Sequence, residues 1–86
     1  MSSSAAHELL FQKWLDEHQG IVAKVIRSFT QTPTDAADLR QEMLLQLWTS
    51  LASYAGQSKP STWIYRVCLN TALTWRRTNT RRETGS

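Results

Sequence analysis

The stretch from Thr32 to Leu51 reads TPTDAADLRQEMLLQLWTSL. Its opening is a helix start. Thr32 carries the hydroxyl that an N-cap needs, Pro33 suits the first helical position, and Asp35 brings a carboxylate to the positive helix end. Behind that start, Leu39, Met43, Leu47 and Leu51 recur every four residues, with Leu44 and Trp48 beside them. An apolar row of that period, with no glycine or proline inside it, predicts a long amphipathic helix.

Upstream, Phe11, Leu15, His18, Val22, Val25 and Phe29 follow one another at spacings of 4, 3, 4, 3 and 4. Ile21 and Ile26 widen the same stripe. A first helix is therefore expected from about Ala6 to Phe29, with Gly20 as the point where it can kink. Downstream, the small polar residues and Gly56 between Ala52 and Lys59 predict a loop. Pro60 then opens a third helix that reaches about Arg77 or a little beyond. Ile64, Val67, Cys68, Thr71, Ala72 and Trp75 form its apolar side. The predicted fold is all-α, a compact bundle of three main helices over residues 6–80. It is flanked by a disordered N-terminus at 1–5 and a basic frayed tail at 81–86.

Composition agrees. The chain has 86 residues, room for one small domain, and 41% of them are hydrophobic, too many for a disordered body. Three Gly and two Pro are too few for a many-turned β-sandwich or barrel. Cys68 is the single cysteine, so no intramolecular disulfide forms. His7 and His18 lack metal-ligand spacing and read as solvent-facing helix residues. No run approaches the ~20 apolar residues of a membrane span, and the N-terminus has no signal-peptide pattern. A cytoplasmic protein without metal or cofactor is expected. The sequence shows no nucleophile–base pair and no phosphate-binding glycine loop, so the expectation is a non-enzyme. Of the four Trp, Trp48 and Trp75 fit a core, Trp14 is open, and Trp63 is the candidate for contact with a partner.

Charge is divided along the chain. Residues 1–58 hold four basic and six acidic side chains, while residues 59–86 hold six basic and one acidic, so a net of −2 faces a net of +5. At about 100° per residue, Arg66, Asn70, Arg77 and Arg81 share one narrow stripe of the third helix, with Trp63 at its edge. That stripe suits a nucleic acid or another polyanion, and equally a solvated basic tail. On the second helix, Asp38, Gln41, Glu42, Leu45 and Thr49 share the polar face. Two acids, an amide and an exposed Leu in register suit a protein-binding patch for a basic partner, or an ordinary solvated face.

The run Asp35-Ala36-Ala37-Asp38-Leu39-Arg40-Gln41-Glu42-Met43, then Leu47-Trp48, then Ser61-Thr62-Trp63-Ile64-Tyr65-Arg66-Val67, Asn70 and Arg76-Arg77, resembles the promoter-opening domain (region 2) of extracytoplasmic-function sigma factors. These are small bacterial initiation factors of RNA polymerase. The similarity runs from about Phe11 to Arg82. It implies docking on the β′ clamp helices of core RNA polymerase through Asp38, Gln41, Glu42 and Leu45. It also implies capture of the non-template strand of the minus-ten element by the 54–61 loop and the third helix. The matching positions are Tyr54, Ser58, Lys59, Ser61, Trp63, Arg66, Asn70, Arg76 and Arg77; Arg81 extends the stripe.

The family often has Phe where Tyr54 and Pro60 stand, and an acid where Thr74 stands. The family's second domain, which reads the minus-thirty-five element, has no counterpart pattern in these 86 residues. The chain is expected to be either one working part of a longer factor or a stand-alone domain. An anti-sigma protein is a candidate partner that no residue here identifies. Two competing readings remain from the residues alone. A basic helical DNA-binding module outside initiation would prefer duplex DNA to single strands. A protein-interaction module with a Trp-rich face would bind neither.

Overall fold

The computed structural model describes residues 2–54, 56 and 58–85, with side chains described within residues 6–78. It is all-helical in this range, with α1 (Ser2–Glu17), α2 (Gln19–Phe29), α3 (Pro33–Leu51) and α4 (Pro60–Gly85). The expected long first helix is thus two helices, and the count is four rather than three.

The break falls at His18, not at Gly20. His18 has φ −125° and ψ 22°, outside helical geometry. Its ring Nδ1–H and its backbone N–H both donate to the Trp14 carbonyl, each at 3.0 Å. The His18 carbonyl then accepts from the Ile21 amide at 3.0 Å, starting α2 on a new axis. A side chain that competes for a backbone acceptor bends a helix in this way. Gly20 faces open space, with no heavy atom within 4 Å of where a Cβ would stand. Gly20→Ala should therefore stabilise the protein by roughly 0.5 kcal/mol through helix propensity and reduced unfolded-state freedom. Thermal unfolding followed by circular dichroism checks this as a rise of a few degrees in Tm.

α3 starts as its sequence dictates. Thr32 is extended at φ −126° and ψ 152°, and its hydroxyl accepts from the Asp35 amide at 3.1 Å, with Pro33 in the first turn. Leu39, Met43, Leu47 and Leu51 are all buried. They meet Val22, Val25 and Ile26 of α2 and Ile64, Cys68 and Ala72 of α4 in one core. The aliphatic row is continuous because spacing four keeps each residue above the last. Thr71 joins the buried side because its hydroxyl donates to the Val67 carbonyl at 2.7 Å, so no polar atom is left unpaired. Burial pushes the Cys68 thiol up to about 11, which keeps it neutral and unreactive at physiological pH.

α4 packs against α2 and α3, and α1 makes lesser contacts with both. α4 has 26 residues and runs on to Gly85, beyond the expected end at about Arg77 or a little later. At about 1.5 Å per residue it is roughly 39 Å long, which accounts for a molecule measuring 46 × 24 × 23 Å. α1 begins at Ser2, ahead of the expected start at Ala6.

Trp48 is not a core residue. It is 43% exposed and touches the fold edge-on, with its ring centroid 5.2 Å from Phe11 and 6.0 Å from His7. The reason is angular. The Leu39–Leu51 row faces α2 and α4, so a residue one position on turns toward α1, which covers only its edge. Among the described residues, no helix is long and apolar enough to cross a membrane.

Candidate nucleic-acid and protein interface

The candidate residues divide over three parts of the fold. On α4, Arg66, Asn70 and Arg77 are all exposed, as the helical stripe requires. They lie within eleven residue steps, or roughly 16 Å of helix. Arg76 is exposed but lies off this line. Its guanidinium sits over the Phe29 ring at 5.2 Å, a cation–π contact that ties α4 to the end of α2. The Arg81 side chain lies outside the described residues. Lys59 is exposed immediately before the helix, and its carbonyl accepts the Trp63 amide at 3.0 Å. Ser61 is half-buried in the first turn.

On α3, Asp38, Gln41, Glu42 and Leu45 are all exposed, and Leu45 is 55% open to solvent. Here the structure adds a relation that spacing could not. Asp38 and Glu42 also form, with Gln46, one wall of a groove of about 520 Å³ whose other wall includes Asn70, Thr74, Trp75 and Thr78 of α4. The Trp75 indole N–H donates to Asp38 Oδ2 at 2.8 Å across it. Asp38, of the set on α3, and Asn70, of the set on α4, thus share one rim. The two sets are contiguous rather than opposed. Carboxylates in the groove disfavour a phosphate there, which leaves the exposed Arg66 and Arg77 as the anion-attracting groups of α4.

In the connection between α3 and α4, Tyr54 is half-buried, its ring packed on two tryptophans and its hydroxyl donating to the Ser58 carbonyl. Gly56 turns the chain at φ +75°, a left-handed conformation that favours glycine. Trp63 is half-buried against the core rather than free at the edge of the stripe. Trp14 is the residue that sequence reasoning left without a place. It packs against both Tyr54 and Trp63. The signal was present, because Trp14 falls in the same helical arc as Phe11, Leu15 and His18. Among the described residues, no group of three His, Cys, Asp or Glu side chains could hold a metal ion.

The described residues form a small all-helical domain whose long last helix carries a basic stripe beside the acidic and apolar face of α3. Residues 14–82 match the family model Sigma-70 region 2, and the chain belongs to that family. An ECF RNA polymerase sigma factor, SigG, of Mycobacterium tuberculosis is 48% identical over 40 residues, which is 46% of this chain and 11% of that protein. The RNA polymerase sigma-H factor of Pseudomonas aeruginosa is 30% identical over 67 residues, 78% of this chain and 33% of that protein. The chain therefore spans a third or less of the length of these relatives. No solved structure matches it at a significant level.

Proposed function

We infer that this domain acts in transcription initiation as the core-binding and minus-ten-reading part of a sigma factor, without catalytic chemistry of its own. The observation that carries the reading is the extent of the family match. Residues 14–82 take in both the acidic and apolar face of α3 and the basic face of α4. The α3 residues Asp38, Gln41, Glu42 and Leu45 dock on the β′ clamp helices of core RNA polymerase. The loop and α4, through Tyr54, Ser58, Lys59, Ser61, Trp63, Arg66, Asn70, Arg76, Arg77 and Arg81, hold the non-template strand.

Each partner finds its own chemistry. Arginines attract phosphates and release counterions, which gives affinity but no sequence information. Polar groups of the loop and of Asn70 are suited to base edges. Unstacking a base costs a few kcal/mol. Contacts of about 1–3 kcal/mol per captured base offset much of that cost base by base. Melting is thus driven by capture of the open strand, and no nucleic-acid bond breaks. The work takes place on the chromosome, in the cytoplasm. An anti-sigma protein covering either face would stop one of the two steps.

Titration with single-stranded minus-ten oligonucleotides tests the DNA-facing half. Binding should weaken as salt rises. Arg77→Ala should lower affinity for all sequences alike and flatten the salt dependence by roughly 0.7 in log–log slope, the share of one phosphate contact on a single strand. Asn70→Ala should weaken the cognate sequence more than a scrambled one. Unchanged affinity in both variants would remove the assignment, and a preference for duplex over single strands would favour an ordinary duplex-binding module.

A further inference from the structure

Trp75 reaches across from α4 to a residue assigned to docking on α3. It stands one turn beyond Ala72, at the edge of the core, and its ring packs half-buried against that core. Its indole N–H donates to Asp38 Oδ2 at 2.8 Å, between residues 37 apart in sequence. The donor is therefore anchored, while the acceptor belongs to an exposed side chain.

An exposed aspartate with nothing to hold it moves among several rotamers. Asp38 has a further reason to turn away. Glu42 stands four residues on and lines the same groove, and like charges at that spacing repel. The indole bond counters both effects, because a hydrogen bond to an ionised acceptor is among the stronger ones. Indole nitrogen also carries no charge. The bond thus fixes the carboxylate without cancelling the charge that attracts a basic partner, as a lysine or arginine at position 75 would. A carboxylate offers two oxygens and about four lone-pair sites, so one bond at Oδ2 leaves room for a cation.

We propose that Trp75 is a positioning residue for docking, holding the Asp38 carboxylate in one orientation so that it meets a cationic side chain of the polymerase clamp already ordered. The inference rests on the docking reading and deepens it, because it adds a residue of α4 to a surface otherwise assigned to α3 alone. Its physical basis is preorganisation. A side chain that must be ordered on binding lowers affinity by roughly twofold to tenfold, and one ordered beforehand does not. A tryptophan that merely filled the edge of the core would change stability, and its effect on docking would not depend on Asp38.

The experiment titrates the full chain with a fluorescent β′ clamp fragment, in a double-mutant cycle. Trp75→Phe keeps an aromatic ring and removes the N–H. It should raise Kd by roughly threefold to tenfold, and Asp38→Ala should raise it at least as far. In the Asp38→Ala background, Trp75→Phe should add less than about 1.5-fold, because the group it acts through is gone. A wild-type Kd in Trp75→Phe, or the same loss with and without Asp38, overturns the inference. If Trp75→Phe does not fold, 3-benzothienylalanine at position 75 decides. It keeps the bicyclic ring and puts sulfur where the N–H stood, and a wild-type Kd with it is again a rejection. If Asp38→Ala binds as wild type, the inference falls by itself. The docking reading falls with it only if Gln41→Ala plus Glu42→Ala also binds as wild type.

Discussion

Leu47→Ala should leave a protein that is barely folded at room temperature. Leu47 is 1% exposed and sits in the middle of the α3 row, between the α2 and α4 contributions to the core. Its truncation removes buried methyl groups and leaves a cavity, and such changes cost about 3–5 kcal/mol. Small domains hold only about 5–15 kcal/mol in total, and a chain of this size belongs at the low end. The expected fall in Tm is roughly 12–40 °C, at about 4–8 °C per kcal/mol for a domain of this length. Calorimetry measures it. A loss below about 1 kcal/mol would mean that the core collapses around the gap far better than Leu-to-Ala sites usually do.

Leu45→Ala, two positions earlier, should behave in the opposite way. Leu45 is 55% exposed and is not part of the core cluster, so Tm should move by no more than about 1–2 °C. The cost appears on binding. In the proposed docking, a clamp helix would bury this exposed leucine beside Gln41 and Glu42, and a fully buried leucine contributes about 1.5–3 kcal/mol. Its removal should weaken association with a β′ clamp fragment by roughly tenfold or more at unchanged fold. Wild-type retention in a pull-down, together with wild-type retention in Gln41→Ala plus Glu42→Ala, would show that the partner does not sit on this face. The two leucines thus separate stability from docking within one helix. Spacing two places them about 200° apart around the helix.

The same angular logic explains how much was legible in advance. The α3 start was readable because capping is local: a hydroxyl, a proline and an amide three residues on. The core rows were readable because period four needs no knowledge of the neighbour. Leu39, Met43, Leu47, Leu51, Ile64 and Cys68 are all buried. The outward positions of Arg66, Asn70 and Arg77 followed from the same arithmetic. The break at His18 was not legible, because Gly20 looked like the weaker point and the competition for the Trp14 carbonyl depends on a side-chain rotamer. Trp48 was misjudged for a related reason. Membership of an apolar arc says which way a residue faces, not whether another helix arrives to cover it.

The sequence by itself determined the helical class, the start of α3, the buried rows, the division into an acidic body and a basic end, and the family. These depend on local spacing, capping and the order of motifs. Only the tertiary structure decided which faces become neighbours. It brought Asp38 against Trp75 and Asn70 onto the same rim. It set Arg76 over Phe29, and it joined Trp14, Tyr54 and Trp63 beneath one turn. Each of these pairings joins separate elements. Their geometry follows from how the helices cross and where the break at His18 points α1, and no spacing along the chain encodes that.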